Sequence, residues 1–142
     1  MTSLTLVALQ LVAIGALAFE LPKAEWSGAT VLLEVIAVFV GVSAVVANPP
    51  GNFNIRPEPR SGGRLIRTGP YRWIRHPMYG ALLLAAAGLV VAVGSMRAMA
   101  LAGVLAMVLL VKLHLEERWM VQAHPDYEAY RRNTWRLLPG VW

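Results

Sequence analysis

The chain has no cysteine among its 142 residues, which excludes disulfide bonds, thiolate metal sites and a cysteine nucleophile. Charged residues are also scarce, at 15% of the sequence, whereas 57% of the residues are hydrophobic. Soluble domains carry about 25% charged residues, so this balance indicates an integral membrane protein. The sequence shows no internal repeat and no separable soluble region, and we expect a single membrane domain over residues 1–142.

Long apolar runs occur at four places, and none alternates as a β-strand does. They cover residues 4–19, 28–47, 79–95 and 98–113. Each is near the length at which a helix crosses about 30 Å of hydrocarbon, and spans that do not close a barrel must be helical. We therefore predict an all-α membrane protein with about four transmembrane helices and a tight hairpin near Gly94 and Ser95. A loop (48–78) and a C-terminal cap (114–142) complete the predicted domain.

The first run ends in Ala16-Leu17-Ala18, which resembles a cleavage site. No Lys or Arg precedes it, so we interpret the run as a retained span.

Positive charge is distributed unevenly between the connections. Of the 13 Lys and Arg residues, six lie within 48–78 and five at or after position 112, whereas Lys23 and Arg97 alone occupy the other two connections. The positive-inside rule then places both termini and the long loop in the cytoplasm. We predict a multi-pass protein of the plasma or inner membrane. We expect no nucleic-acid partner, because the basic residues stand near span ends rather than on a soluble face.

Two segments flank the predicted membrane region on this basic side. Residues 48–67 are rich in proline and Gly-Asn pairs, which favours an extended lid over the membrane face; a solvated connector is the alternative. Glu116 and Glu117 follow the fourth run without a helix breaker, so the helix carries them into the cap. Pro125 can begin a further helix with three residues on one face: Tyr127, Tyr130 and Arg131.

Several short motifs follow one another in order along the chain. They are Gly69-Pro70-Tyr71-Arg72, Arg75-His76-Pro77-Met78-Tyr79-Gly80, Glu116-Glu117, Tyr127-x-x-Tyr130 and Arg136-Leu137-Leu138-Pro139. In order and spacing they resemble the isoprenylcysteine carboxyl methyltransferase and phospholipid methyltransferase superfamily of integral membrane enzymes. The resemblance spans about residues 57–139 and departs from a common family pattern at His124-Pro125, where Phe-Gly is frequent. The acceptor is therefore less defined than the cofactor.

The resemblance implies methyl transfer from S-adenosylmethionine, held at the cytosolic face, to a lipophilic acceptor that arrives from the bilayer. That acceptor would be an isoprenylcysteine-like carboxylate, a phospholipid amine or another small lipophile, and membrane lipids would surround the protein. Carried over by position, the cofactor-binding residues are Arg75, His76, Tyr79, Gly80, Glu116 and Glu117. Arg75 and His76 would also act in catalysis. In-line transfer needs positioning more than a metal or a covalent nucleophile. Carboxylates suit the cofactor's cation, and arginine or imidazole suits its carboxylate.

Contacts to the acceptor are expected from four further residues: Glu34, Tyr71, Tyr127 and Arg131. Glu34 lies inside the second run, where a carboxylate is costly and by default indicates function, although snorkelling or an oligomer contact would also accommodate it. His114 and Glu117 are three residues apart, but no second such pair occurs, so we expect no metal site.

The sequence leaves alternatives open for the roles of several residues and for the function. His76 either takes a proton from the acceptor or fixes the loop by hydrogen bonds, and Glu117 is either a ligand or a solvated partner of Arg118 or Arg131. Tyr71 and Tyr79 would equally pack at the interface. At the level of function, a nicotinamide-dependent sterol-type membrane reductase is the enzymatic alternative. A non-enzymatic subunit that binds anionic lipid through the basic loop is the third.

Overall fold

The structure, a computed structural model, describes residues 2–52, 54–59 and 62–140, so positions 53, 60 and 61 of the predicted loop lie outside the described residues. The described residues form five α-helices: α1 (Ser3–Ala18), α2 (Gly28–Ala47), α3 (Pro77–Val93), α4 (Met96–Ala123) and α5 (Tyr127–Arg132). Short 3-10 turns cover Leu21–Lys23 and Gly69–Arg72. The described residues contain no β-strand, and the prediction of an all-α membrane protein is confirmed.

Three helical stretches are long and apolar enough to cross a membrane, namely Ser3–Lys23, α2 and α4. Helix α3 is equally apolar but has 17 residues, which corresponds to about 25 Å at 1.5 Å per residue. Helix α4 has 28 residues and continues to Ala123. It therefore carries Glu116 and Glu117 beyond the apolar run without a break, as the sequence predicted.

Local signals set the helix ends. Ser27 caps α2 by accepting the backbone N–H of Thr30, whose hydroxyl in turn accepts the Ser27 N–H at 2.9 Å. Gly94 adopts a left-handed conformation with φ of 63° and ends α3. The Ser95 hydroxyl then accepts the Ala98 N–H at 3.1 Å and begins α4. The tight hairpin predicted at Gly94 and Ser95 is confirmed.

The helices pack in the order α2, α3, α4, α1, since α3 contacts α2 and α4 while α1 packs on α4. A buried core joins α1, α3 and α4 through Ala13, Leu17, Ala86, Leu89, Leu105 and Leu109. Helix α2 exposes a row of large apolar side chains that includes Val35, Phe39, Val42 and Val46. Such a row is compatible with lipid rather than water.

An ion cluster ties together the connections at one end of the bundle. The buried carboxylate of Glu20 contacts the Lys23 ammonium at 2.9 Å and the Arg97 guanidinium at 3.1 Å. The backbone N–H of Glu25 also donates to the Ala92 carbonyl at 2.8 Å. The turn after α1 is thereby fastened to the α3–α4 hairpin.

Backbone pairing at the opposite end holds the start of α3. The Arg75 N–H donates to the Trp135 carbonyl at 2.8 Å and the His76 N–H donates to the Arg136 carbonyl at 3.0 Å. The Trp135 N–H donates back to the Trp73 carbonyl at 2.9 Å. The C-terminal segment is therefore hydrogen-bonded directly to the segment that carries Arg75 and His76.

Candidate functional site

A cavity of about 380 Å³ lies at the end of the bundle where α3 begins. Its walls come from α1, α3, α4, α5 and the loop after α2, and its size is typical of small-molecule sites. Six of the residues predicted from the sequence line it: Tyr71, Arg75, His76, Tyr79, Glu116 and Tyr127. The structure thus brings together side chains that stand more than fifty positions apart in the sequence.

His76 occupies the position just before α3, and Pro77 is the first helical residue. Its side chain makes no capping hydrogen bond, so the imidazole is available to α4. Nδ1 lies 3.6 Å from Glu116 Oε2, and Nε2 lies 3.5 Å from Glu117 Oε1. The ring is stacked on Tyr79 at a centroid distance of 5.5 Å. These nitrogen–oxygen distances describe ion pairs rather than tight hydrogen bonds.

The protonation of His76 follows from these neighbours. Burial by itself would lower the pKa of His76, but the carboxylates of Glu116 and Glu117 outweigh it and raise the pKa above the ordinary value of 6.5. The two carboxylates therefore stabilise the charged imidazolium relative to the neutral ring. In that state both ring nitrogens are donors, and the ring is a poor proton acceptor.

Glu116 is the carboxylate that faces the cavity. Its Oε2 accepts a hydrogen bond from the Tyr79 hydroxyl at 2.9 Å, and about one third of the side chain, 34%, is exposed. Glu58, on the loop after α2, also lines the cavity, and its buried Oε2 has no hydrogen-bond partner among the described residues. Two carboxylates with unused acceptor capacity are therefore available to a cationic ligand.

Glu117, unlike Glu116, does not line the cavity. Its Oε1 accepts from Arg75 Nε at 2.6 Å and its Oε2 from Arg136 Nε at 3.2 Å, and only 5% of the side chain is exposed. Arg75 also donates to the Arg131 carbonyl at 3.0 Å and to the carbonyl and hydroxyl of Thr134. Although Arg75 borders the cavity, its donors are used to join α3, α4 and the C-terminal segment.

Two other predicted residues lie away from the cavity. At Gly80, an added Cβ would lie 3.4 Å from the Leu137 carbonyl oxygen, so this glycine permits close packing of α3 on the C-terminal segment. Glu34 points from α2 towards Gly88 on α3, where an added Cβ would be 2.5 Å from Glu34 Oε1. That oxygen is buried without a hydrogen-bond partner in the described part of the chain.

Helix α5 turns its tyrosines inward and its arginine outward. Tyr127 and Tyr130 are buried, whereas Arg131 is exposed and pairs with Glu128 at 3.3 Å. Arg131 lies about 40° around the helix from Tyr127, at the edge of this face, but its side chain reaches solvent and does not line the cavity. The Tyr130 hydroxyl donates to the Tyr71 carbonyl at 2.7 Å. Burial, with a smaller effect of the Glu116 charge, raises the pKa of Tyr71 to about 12, so its phenol stays neutral.

Residues of the loop after α2, which the sequence predicts to be a lid, line the cavity. Asn52 closes the loop on itself by accepting the Arg64 N–H at 2.7 Å and donating to the Asn48 side chain at 2.8 Å. Arg67 pairs with the carboxylate of Asp126 and donates to its carbonyl at 3.3 Å. The described lid residues, within 48–52, 54–59 and 62–67, are therefore joined to the start of α5.

Sequence reasoning missed Lys112 and Gln10. Lys112 was interpreted only as a topology charge, and Gln10 as part of an apolar run. Both line the cavity, and the Lys112 ammonium donates to the Gln10 side-chain oxygen and to the Ile55 carbonyl, the latter at 2.9 Å. A polar residue in a predicted span and a lysine one turn before Glu116 were the available signals.

The fold and the cavity define a membrane protein with a pocket lined by charged and apolar residues at one end of an apolar helix bundle. The sequence pattern of the phospholipid methyltransferase family matches residues 31–126, about two thirds of the chain. The chain belongs to this family, which implies methyltransferase activity, and the superfamily resemblance seen in the motifs is confirmed. No curated protein gives a significant match to the chain. Within the described residues, no group of three or more potential ligands is placed to hold a metal ion.

Proposed function

We propose that this protein transfers a methyl group from S-adenosylmethionine to the amino group of a membrane phospholipid at the cytosolic face. The observation that carries this proposal is the cavity itself, in which Glu116, Glu58 and His76 lie beside apolar residues of α1 and α3. A charged cofactor and a lipophilic acceptor need such a mixed environment. Membership in the family supports methyl transfer over the reductase and the non-enzymatic subunit.

The polar residues of the cavity fit this cofactor. The Oε2 of Glu58 and the Nε2 of His76 are buried atoms without hydrogen-bond partners among the described residues, and Glu116 keeps free acceptor capacity. We assign Glu116 and Glu58 to the cofactor's cationic and hydroxyl groups, and the His76 imidazolium to its carboxylate. Tyr71 and Tyr127 would contribute neutral aromatic walls.

When bound, S-adenosylmethionine supplies a methyl group carried on a positively charged sulfur. The residues of this chain contribute orientation and exclusion of water. Two carboxylates lie beside His76 and favour its charged form, which supports the hydrogen-bonding role over that of a proton acceptor. Arg75 and Glu117 act as positioning residues, because their mutual bond fixes the segment from which His76 and Tyr79 project.

We further propose that α3 is a fourth span and that both termini face the cytoplasm of the plasma or inner membrane. The hairpin at Gly94 leaves α3 and α4 antiparallel, and the 17 residues of α3 reach the lower limit of a spanning helix. The cavity then opens at the cytosolic interface, where the basic loop lies. The predicted contact of Glu34 with the acceptor stays a proposal, since Glu34 lies on α2 and does not line the cavity.

Thermal unfolding of the detergent-solubilised protein tests the proposed activity. S-adenosylhomocysteine at a hundred times its Kd should stabilise the protein by about 2.7 kcal/mol through mass action, with or without a chelator. Reduced nicotinamide dinucleotide is the matched control and should give no shift. The proposal is overturned if millimolar S-adenosylhomocysteine leaves the Tm unchanged.

A further inference from the structure

Lys112 is a buried cation that the proposed chemistry does not yet use. It is 1% exposed and lies on the cavity wall formed by α4. Its recorded hydrogen-bond acceptors are both neutral, the side-chain oxygen of Gln10 and the carbonyl of Ile55. Its ammonium also lies 5.4 Å from the centre of the Tyr79 ring.

The charge of Lys112 lacks a direct counterion. Among the described residues it forms no ion pair, and Glu116 attracts it only through space while binding Tyr79 and His76. Buried charges are stable when they are paired, and an ammonium has three donors, of which two are used here. An anion in the cavity would therefore supply the missing counterion of Lys112 and accept its third N–H.

The position of Lys112 indicates which anion that is. Lys112 precedes Glu116 by four residues on α4, so their Cβ atoms are about 5–6 Å apart on one face. In the proposed orientation Lys112 lies on the bilayer side and Glu116 on the cytosolic side. An ethanolamine headgroup has its phosphate and its amine separated by two carbons, so a phosphate at Lys112 would place the amine towards Glu116 and the cofactor that Glu116 is proposed to bind.

The apolar part of the cavity lies on the same side as Lys112. Leu11, adjacent to Gln10, lines the cavity and is also 53% exposed on the surface of α1. Ile14 follows one turn later, and Leu82 faces the cavity from α3. These residues provide a lateral passage for acyl chains, whereas the water-soluble cofactor has no need to pass them.

We propose that Lys112, supported by Gln10, binds the phosphate of the acceptor lipid and so selects phospholipids over lipids without phosphate. This inference rests on the proposed function, since it takes the lipid to be the methyl acceptor. Because the Ile55 carbonyl shares the ammonium, the lid contacts the same group that binds the headgroup.

Equilibrium binding in detergent tests the assignment. The probes are short-chain phosphatidylethanolamine and an alkylamine of matched hydrophobicity that lacks phosphate. Wild-type protein should bind the phospholipid at least about tenfold more tightly, as expected for one charged hydrogen bond. Lys112→Met should abolish this preference by weakening phospholipid binding alone, and Lys112→Arg should retain most of it. Lys23→Met, at the opposite end of the bundle, should change neither affinity.

S-adenosylhomocysteine binding, measured on the same samples, separates the possible failures. Its Kd should stay within twofold in Lys112→Met. An equal loss of cofactor and phospholipid affinity would assign Lys112 to the cofactor carboxylate instead and overturn the inference. Equal binding of the two lipids by the wild-type protein would overturn it without any variant. Failure of the wild-type protein to bind S-adenosylhomocysteine would instead contradict the proposed methyltransferase function.

Discussion

Two adjacent carboxylates have opposite surroundings, although the sequence presents them as a pair. Glu116 is partly exposed at the cavity, whereas Glu117 is buried between Arg75 and Arg136. Consecutive residues on a helix point about 100° apart, so one can serve a ligand while the other serves the fold. The motif therefore combines a binding residue with a positioning residue.

Glu116→Gln should therefore mainly reduce ligand affinity, whereas Glu117→Gln should mainly reduce the stability of the fold. Glu116→Gln should weaken S-adenosylhomocysteine binding by about 1.5–3 kcal/mol, the value of a charged hydrogen bond, and should lower the Tm less than Glu117→Gln does. Glu117→Gln should destabilise the protein by about 3 kcal/mol, because it removes the carboxylate that pairs with the buried Arg75 guanidinium. Calorimetric titration and thermal unfolding measure the two effects. Identical behaviour of the two variants would contradict the assignment.

His76 should give the folded protein a pH-dependent stability. Its pKa is raised above the unfolded value of 6.5, so its contribution to stability is full below that pH. The contribution is lost as the pH rises through the raised folded pKa. The Tm difference between wild-type protein and His76→Gln should accordingly shrink from pH 6 to pH 9. A difference that is constant or grows over this range would show that the carboxylates do not hold His76 as a cation.

At the scale of elements, the lid is fastened at three points. Asn52 binds Asn48 and Arg64 within the loop, Arg67 binds Asp126 at the start of α5, and the Ile55 carbonyl binds Lys112 inside the cavity. Exposed ion pairs and single hydrogen bonds contribute little stability individually. The lid can therefore open at modest cost, and a ligand that contacts Glu58 or Lys112 would hold it closed.

Limited proteolysis should detect this closure. Trypsin added to inside-out vesicles should cut the lid at Arg56, Arg64 or Arg67 in free protein and more slowly when S-adenosylhomocysteine is bound. Cleavage after Arg118, which lies in α4 and outside the lid, serves as the internal control. Equal cleavage with and without ligand would show that this loop only connects helices and does not close over the cavity. Cleavage only from the opposite face would reverse the proposed orientation.

At the scale of the whole molecule, local patterns predicted the helices well. Apolar runs located α1 to α4, and Gly94 with Ser95 located the hairpin, because hydrophobicity and helix capping act within a few residues. They did not predict which helices touch. The contact of Lys112 with Gln10 joins residues 102 positions apart, and that of Arg75 with Glu117 joins residues 42 apart. Helical periodicity indicates which face of a helix is buried, but it does not indicate which other helix packs against that face.

The ion cluster around Glu20 has a consequence for how the chain enters the membrane. In the proposed orientation, the two connections that must be translocated carry two basic residues, Lys23 and Arg97, and two acidic residues, Glu20 and Glu25. Their formal charges cancel, so the membrane potential neither assists nor opposes their passage as a group. Once across, both cations share the buried carboxylate of Glu20. In the proposed orientation this ion cluster therefore forms only after both connections have crossed the membrane.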